Sequence, residues 1–424
     1  MNEEFLYYLW TYKLLKPNPE TTSGEKIKII SPGLKNPDSG PDFFNAMIDI
    51  GATRWAGNVE IHVNSSDWFK HNHQINPAYN NIILHVVFND DKPVYRKNSE
   101  KIPTLEIKNN FNPVIFENYI AFLNSKNNIP CQNLIKNIKH FDKLSWFDSL
   151  MAERLEKKSD EILALLELTK NNFLQVFYQR MARGMGYTAN SDTMEMLASS
   201  VTLNLLSKHK DNLVQIEALL FGQSGLLAYA YKDKYPSELK KEYDFLKNKY
   251  KFQPMEGSLW RFMRMRPVSF PTIRISQFAN IIYSSSGLLN KILEAERIQD
   301  VVSLLSTSAS TYWDNHYQFD RIAPGRTKKL GLSSINIILI NTIIPFIFVY
   351  GKHKNNYALQ DKALNWLSMI KPESNSITRE FNNLGIVAEN AMQSQALIQL
   401  KNNYCIKKQC LYCRFGHVLL IGGD

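Results

Sequence analysis

The sequence predicts an α+β protein in which a mixed part of strands and helices is followed by a large helical part. Residues 1–125 alternate between strand-like and helix-like segments, whereas residues 141–401 are amphipathic at helical spacing almost throughout. The composition is that of a globular protein, with 44% hydrophobic and 21% charged residues among 424. We therefore expect two domains, residues 1–125 and residues 126–424.

The first part follows the order helix, strand, strand, strand, helix, strand. Apolar residues at helical spacing predict a helix over 3–15, and alternating patterns predict strands over 26–30, 42–50 and 55–63. A helix is expected to begin at residue 68 and to end near Pro77. A buried strand follows at 82–88, and one more strand is expected at 102–107.

Composition and charge limit the class of protein and its location. Four cysteines cannot build a disulfide-rich scaffold, and the N-terminus lacks the basic start of a signal peptide. The apolar run 335–350 is shorter than a membrane span of about 20 residues, so we expect a buried helix pair and no membrane partner. The net charge is +10, and the basic excess lies after residue 130. We expect a cytoplasmic protein for which DNA or RNA is one candidate partner.

A pair of carboxylates with a nearby histidine forms the first candidate site. Glu60 and His62 share one face of a strand because side chains alternate. If the hairpin over 42–63 is centred on residue 52, Asp42 lies opposite His62 and all three side chains converge. Two carboxylates on adjacent strands suit Mg²⁺ or Mn²⁺, and His62 would hold the attacking water.

This arrangement resembles the PD-(D/E)XK nuclease fold, through Pro41-Asp42, Glu60-Ile61-His62 and the order of elements. The resemblance implies metal binding by Asp42 and Glu60 and hydrolysis of phosphodiesters. His62 stands where that family has lysine, so Lys70 or His71 would have to stabilise the negative charge on the phosphate.

Histidines are concentrated around the same segment, because His62, His71, His73 and His85 lie within 24 residues. We interpret His73 and His85, together with Arg54 in the hairpin turn, as substrate contacts. Alternatively, His71 and His73 are solvated residues at a helix end and His85 is a hydrogen-bonded core residue. A cupin-like barrel would need the His-x-His on a strand, whereas it falls on a predicted helix.

A second cluster lies near the C-terminus, where Cys405, Cys410 and Cys413 fall within nine residues. Their spacing is typical of a structural Zn²⁺ site or an iron–sulfur cluster, with Cys131 or His417 as the fourth ligand. Reduced thiols without a metal and a redox pair are the remaining interpretations.

Longer segments identify a family. The segments GPDFFNA, WAGNVEIHVNSSDW, RMRPVSFPTIRI and YCIKKQCLYC resemble the bacterial family known as domain of unknown function 2851. That resemblance implies no activity. Three hypotheses therefore stay open: a metal-dependent nuclease, a catalytically inactive module that binds nucleic acid or protein, and a small-molecule metalloenzyme.

Overall fold

The structure is a computed structural model that describes residues 1–422. The chain divides into two compact units. The first comprises Met1–Trp146 and the segment that starts at Leu400, and the second comprises Phe147–Gln399. The segment with the cysteine cluster thus belongs to the first unit, although the sequence suggested a simple division after residue 125.

The first unit contains a six-stranded mixed sheet with helices before, within and after it. Its elements, in chain order, are α1 (Glu3–Thr11), β1 (Ile27–Ser31), β2 (Leu34–Lys35), β3 (Phe43–Ile50), β4 (Thr53–Asn64), α2 (Asp67–Lys70), β5 (Ile82–Asn89), β6 (Thr104–Glu106) and α3 (Pro113–Asn124). The strand order is β1-β3-β4-β5-β6, and β2 pairs with β3. Strands β1, β3 and β4 are antiparallel, whereas β5 runs parallel to β4 and β6.

The parallel pairing of β4 and β5 requires a crossover connection, which carries two of the candidate histidines. It consists of α2 and two 3₁₀ turns, His73–Ile75 and Pro77–Tyr79. Strand β5 is buried from Ile82 to Val87, as expected for an interior strand between parallel neighbours. The crossover therefore lies at the end of β4 that follows Glu60 and His62.

The hairpin of β3 and β4 has a different register from the one expected. Ile50 pairs with Thr53, so the turn is centred between residues 51 and 52, and a bulge between Phe43 and Ala46 shifts the pairing further. Asn45 lies in that bulge with a φ of 55°, a left-handed conformation that asparagine tolerates. Because Phe43 pairs with Val59, the expected pairing of Asp42 with His62 is wrong.

The second unit is mostly helical. Its helices, in chain order, are α4 (His140–Leu168, which starts in the first unit), α5 (Phe173–Met185), α6 (Tyr187–Ser200), α7 (Leu203–Ser207), α8 (Leu213–Gln223), α9 (Lys234–Tyr250), α10 (Pro271–Ser284), α11 (Leu288–Glu294), α12 (Ile298–Leu305), α13 (Leu332–Ile338), α14 (Ile344–His353), α15 (Tyr357–Met369), α16 (Ser376–Asn383) and α17 (Ala391–Gln399). A two-stranded sheet, β7 (His316–Gln318) and β8 (Arg321–Ile322), interrupts them, so the expectation of an all-helical region is wrong in this respect.

The apolar run forms one continuous helical stretch. A π-helical turn, Leu339–Ile343, joins α13 to α14 without a break, where the sequence suggested two helices. The stretch Leu332–His353 is long and apolar enough to cross a membrane, by length and composition only. In its most apolar window, 61% of the residues are buried within the protein, as in the core helix of a globular domain.

The chain then completes the first unit. A π-helical turn, Leu400–Cys405, and a 3₁₀ turn, Cys410–Tyr412, lead into helix α18 (Arg414–Leu420). Helix α18 lies against α3. Residues far apart in sequence thereby meet in one unit.

Candidate metal centre

Strand β4 supplies two side chains of the site. Glu60 and His62 are separated by one residue and point to the same face, and both are at least 95% buried. The Oε1 atom of Glu60 lies 3.5 Å from Nε2 of His62. The strand thus presents one carboxylate oxygen and one imidazole nitrogen side by side.

The crossover supplies the other two. Asn72, between His71 and His73, has a φ of 59° and reverses the chain at the end of α2. His71 Nδ1 then lies 3.1 Å from His62 Nε2, and His73 Nε2 lies 3.2 Å from Glu60 Oε1. The left-handed residue therefore allows both neighbouring imidazoles to reach the strand.

Three of these side chains are grouped closely enough to hold a metal ion, and Glu60 lies beside two of them. The ligand atoms of His62, His71 and His73 all lie within 4.8 Å of one another. Bonds of 2.0–2.1 Å in a tetrahedral shell place ligand atoms about 3.4 Å apart, close to the separations found here. Apart from the approach of Nε2 to Glu60 Oε1, neither ring nitrogen of the buried His73 has a hydrogen-bond partner within residues 1–422, so Nε2 can serve as a ligand.

His85 contacts the nitrogen of His62 that faces away from the cluster. It is fully buried on β5, and its Nε2 lies 2.8 Å from Nδ1 of His62. A proton on His62 Nδ1, shared with His85, leaves the lone pair of His62 Nε2 directed at the cluster. His85 is therefore a positioning residue, and the structure does not bring it to a position where it would touch a substrate.

Asp42 borders the cluster with its carboxylate held in place. Its Oδ1 accepts a hydrogen bond from the Tyr7 hydroxyl at 2.8 Å, and its Oδ2 accepts one from the backbone N–H of Ile61 at 2.8 Å. The backbone N–H of Asp42 donates to Oε2 of Glu60 at 3.1 Å. Asp42 and Glu60 thus adjoin, and each oxygen of Asp42 accepts a hydrogen bond that fixes the orientation of the carboxylate.

Burial controls the protonation of the site. Burial, followed by the charge of Asp42, raises the pKa of Glu60 to about 9. Burial, followed by the charges of His85, His73 and His71, lowers the pKa of His62 to about 2. His62 is therefore a neutral imidazole, as a metal ligand must be, and a bound cation would favour the ionised form of Glu60.

Two of the residues proposed from the sequence are engaged in ion pairs with neighbouring carboxylates. Arg54 makes a bidentate ion pair with Asp49 beside the hairpin turn, six residues and about 20 Å along β4 from Glu60. Lys70 pairs with Asp67 at 2.5 Å, and two thirds of its side chain is exposed. Arg54 is thus not a substrate contact at this cluster, and Lys70 is held by a neighbouring carboxylate on its own helix.

The structure adds residues that sequence reasoning missed. Tyr7 on α1 bonds Asp42, and Lys35 on β2 has its Nζ 4.7 Å from the centre of the Tyr7 ring. The positive charge of Lys35 acts to lower the pKa of Asp42. Lys35 is thus a cation whose charge acts on Asp42, whereas the sequence assigned the stabilisation of phosphate charge to Lys70 or His71. No local pattern signals this role, because β2 is only two residues long.

The cysteine cluster lies elsewhere in the first unit. Cys131, Cys405, Cys410 and Cys413 are each less than one-tenth exposed. Burial and the neighbouring thiols raise the pKa of Cys410 to about 12, and Cys131 and Cys405 shift in the same direction. His417, the alternative ligand, instead has its Nδ1 2.9 Å from the hydroxyl of Tyr8.

The fold and the site together define an α+β protein with a histidine-rich candidate metal centre beside a mixed sheet. The chain belongs to the family described as "Protein of unknown function (DUF2851)", whose model matches residues 3–376. No curated protein and no solved structure matches the chain. The matched range contains the histidine cluster and Cys131 and ends before Cys405. The resemblance to this family is confirmed, and the resemblance to the PD-(D/E)XK fold stays a prediction.

Proposed function

We propose that the protein is a metal-dependent hydrolase that cleaves phosphodiester bonds in DNA or RNA. The observation that carries the proposal is the cluster of ligand atoms from His62, His71 and His73, which all lie within 4.8 Å of one another. Glu60 Oε1 lies 3.5 Å from His62 Nε2 and 3.2 Å from His73 Nε2. Imidazole ligands favour a transition metal, so we expect Mn²⁺ or Zn²⁺ rather than the Mg²⁺ that carboxylates alone would select.

The protein's own groups suit a hydrolytic reaction. A metal in this position would supply Lewis acidity and lower the pKa of a bound water. Asp42, held by Tyr7 and the Ile61 N–H, has an ionisable carboxylate beside the ligands that can orient water or accept its proton. His71 is exposed, which gives a substrate access to one side of the cluster. The exposed Lys35 provides positive charge for a phosphate.

The phosphodiester substrate is supported by the placement of these groups on the sheet. Asp42 immediately precedes one strand of an antiparallel hairpin, and Glu60 and His62 lie on its partner, which pairs in parallel with β5. This is the arrangement expected from the resemblance to PD-(D/E)XK nucleases. A hydrolase of small metabolites is a second candidate, favoured by the three histidine ligands that replace a carboxylate-rich shell.

A cleavage assay with metal-loaded protein tests the proposal. Labelled single- and double-stranded DNA and RNA would be incubated with metal-depleted full-length protein and then with Mn²⁺, Zn²⁺ or Mg²⁺. Glu60→Gln and the exposed His71→Ala remove one ligand each, and the exposed Glu100→Gln, prepared identically, controls for a contaminating nuclease. We expect Mn²⁺- or Zn²⁺-dependent cleavage that falls at least about 100-fold in both ligand variants.

The other outcomes separate the alternatives. Binding of nucleic acid that weakens with salt, without cleavage, would replace the hydrolase by an inactive binding module. Metal binding with neither cleavage nor nucleic-acid binding would favour the small-molecule enzyme. Cleavage that is equal in the wild type and both ligand variants would show that this cluster is not the catalytic site.

A further inference from the structure

Four buried cysteines from two distant parts of the chain meet in the first unit. Cys131 starts a turn whose carbonyl oxygen accepts hydrogen bonds from the N–H groups of Leu134 and Ile135. Cys405 ends the π-helical turn, and Cys410 and Cys413 flank a 3₁₀ turn closed by the Cys413 N–H on the Cys410 carbonyl. Each cysteine is thus fixed by local backbone hydrogen bonding or by the end of a helical turn.

The close approach of helix α18 to this turn requires a glycine. A Cβ atom at Gly416 would lie 2.0 Å from the carbonyl oxygen of Cys410, so no other residue fits without displacing the backbone. The cysteine turn is therefore packed tightly against α18, and the positions of Cys410 and Cys413 are well constrained.

The sulfur atoms are spaced more widely than the ligands of a single zinc ion. Four sulfurs bonded to one Zn²⁺ at 2.3 Å would lie about 3.8 Å from one another. Within residues 1–422, three ligand atoms that all lie within 4.8 Å of one another occur in the histidine cluster. No three cysteine sulfurs meet this criterion. A cluster with several irons holds its outer thiolates roughly 6 Å apart, because they bond to different metal atoms.

The surroundings also suit an anionic cluster. Positive charges of Lys401 and Lys408 act on Cys405 and Cys410 respectively. Lys408 also donates a hydrogen bond to the carbonyl of Leu123, at the end of α3, which keeps its ammonium group near the turn. Two lysines thus offset part of the negative charge that four thiolates bring to a buried site.

We propose that Cys131, Cys405, Cys410 and Cys413 ligate an iron–sulfur cluster. The cluster joins the turn after α3 to the segment that follows Leu400, and so fastens the chain's last segment to the rest of the first unit. Its role is structural, and it is independent of the histidine centre. His417 is not a ligand, because the fourth thiolate comes from Cys131.

Metal and sulfide analysis of the full chain tests this proposal. Protein produced with added iron and purified without oxygen should contain iron and acid-labile sulfide in equal amounts, about two or four of each per chain. It should also show an absorption band at about 400 nm. Cys131→Ser and Cys410→Ser should each lose most of the iron. Tyr412→Phe, between two of the ligands, and His417→Ala should retain it.

Each other result is decisive. About one zinc per chain without sulfide would overturn the iron–sulfur assignment, as would the absence of any metal after reconstitution with iron and sulfide. If the cysteine variants do not fold, the wild-type iron and sulfide content still decides. Glu60→Gln should keep the cluster, so failure of the proposed hydrolase and failure of this proposal can be told apart.

Discussion

The Nε2 atom of His85 lies 2.8 Å from Nδ1 of His62, so a fully buried histidine on β5 sets the orientation of a candidate metal ligand on β4. The opposite nitrogen of His62 faces His71 at 3.1 Å and Glu60 at 3.5 Å. A single hydrogen bond between adjacent strands therefore selects which nitrogen of His62 is available to a cation.

We predict that His85→Ala weakens metal binding although His85 touches no metal. Without its partner, His62 can rotate and can carry its proton on Nε2, so we expect the dissociation constant for Zn²⁺ or Mn²⁺ to rise about 10–100-fold. Isothermal titration of metal-depleted protein measures this. His353→Ala, at an exposed position in the second unit, is the matched control, and an unchanged affinity in His85→Ala would contradict the positioning role.

Much of the site could be anticipated from the sequence, and the parts that could not have physical reasons. The clustering of His62, His71, His73 and His85 was visible, as was the shared face of Glu60 and His62. The register was not, because the bulge at Asn45 leaves no signal in the hydrophobic alternation.

Only the tertiary structure shows which side chains are available as ligands and which cations lie near them. A pattern of residue types cannot show that Tyr7 and Ile61 already occupy both oxygens of Asp42, or that Arg54 is paired with Asp49. The charge of Lys35 acts on Asp42 from a two-residue strand that periodicity cannot detect. The order of the main strands was predictable because burial of each strand leaves its pattern in the sequence, whereas the short strands β2, β7 and β8 bury too little to do so.

The left-handed conformation of Asn72 gives a second prediction. With a φ of 59°, glycine is tolerated there, whereas a β-branched residue costs about 1–3 kcal/mol or changes the backbone. We expect Asn72→Gly to bind metal with nearly wild-type affinity and Asn72→Val to bind it about 10-fold more weakly or worse. The two variants control for each other in the same titration, and equal affinities would refute a role for this backbone conformation.

A third prediction concerns stability of the second unit. The amine of Lys158 donates to the carbonyl and side-chain oxygens of Asn341 at 3.0 and 3.2 Å. Burial, followed by the charges of Arg154 and Arg180, lowers the pKa of Lys158 to about 7 from 10.5. The unfolded chain binds this proton more tightly than the folded chain does, so burial of Lys158 lowers the free energy of unfolding. This loss of stability is full below pH 7 and becomes smaller as the pH rises toward 10.5.

Wild type should therefore gain stability relative to Lys158→Met between pH 6.5 and pH 9. After allowance for solvent near this partly exposed side chain, we expect a relative gain of about 1–2 kcal/mol. Urea unfolding at both pH values and equal ionic strength measures it. Lys157→Met, at the exposed neighbouring position, should show no such gain, and a pH-independent difference for Lys158→Met would mean that the lysine is not neutralised on folding.

The hydrogen bond from Tyr7 to Asp42 gives a prediction that depends on the proposed hydrolase. Burial raises the pKa of Asp42, and the hydrogen bonds from the Ile61 N–H and the Tyr7 hydroxyl act against that rise. Tyr7→Phe removes one of them, so the pKa of Asp42 should increase further, and the acidic limb of the cleavage rate should move to higher pH by about one unit. The pH profile of metal-loaded protein measures this shift. Tyr12→Phe, directly after the chain's first helix, should leave the profile unchanged, because the Tyr12 ring contacts His417 and Tyr8 and not Asp42. A lower rate in Tyr7→Phe with no shift would mean that the hydroxyl only supports the fold and that Asp42 does not have to be ionised for cleavage.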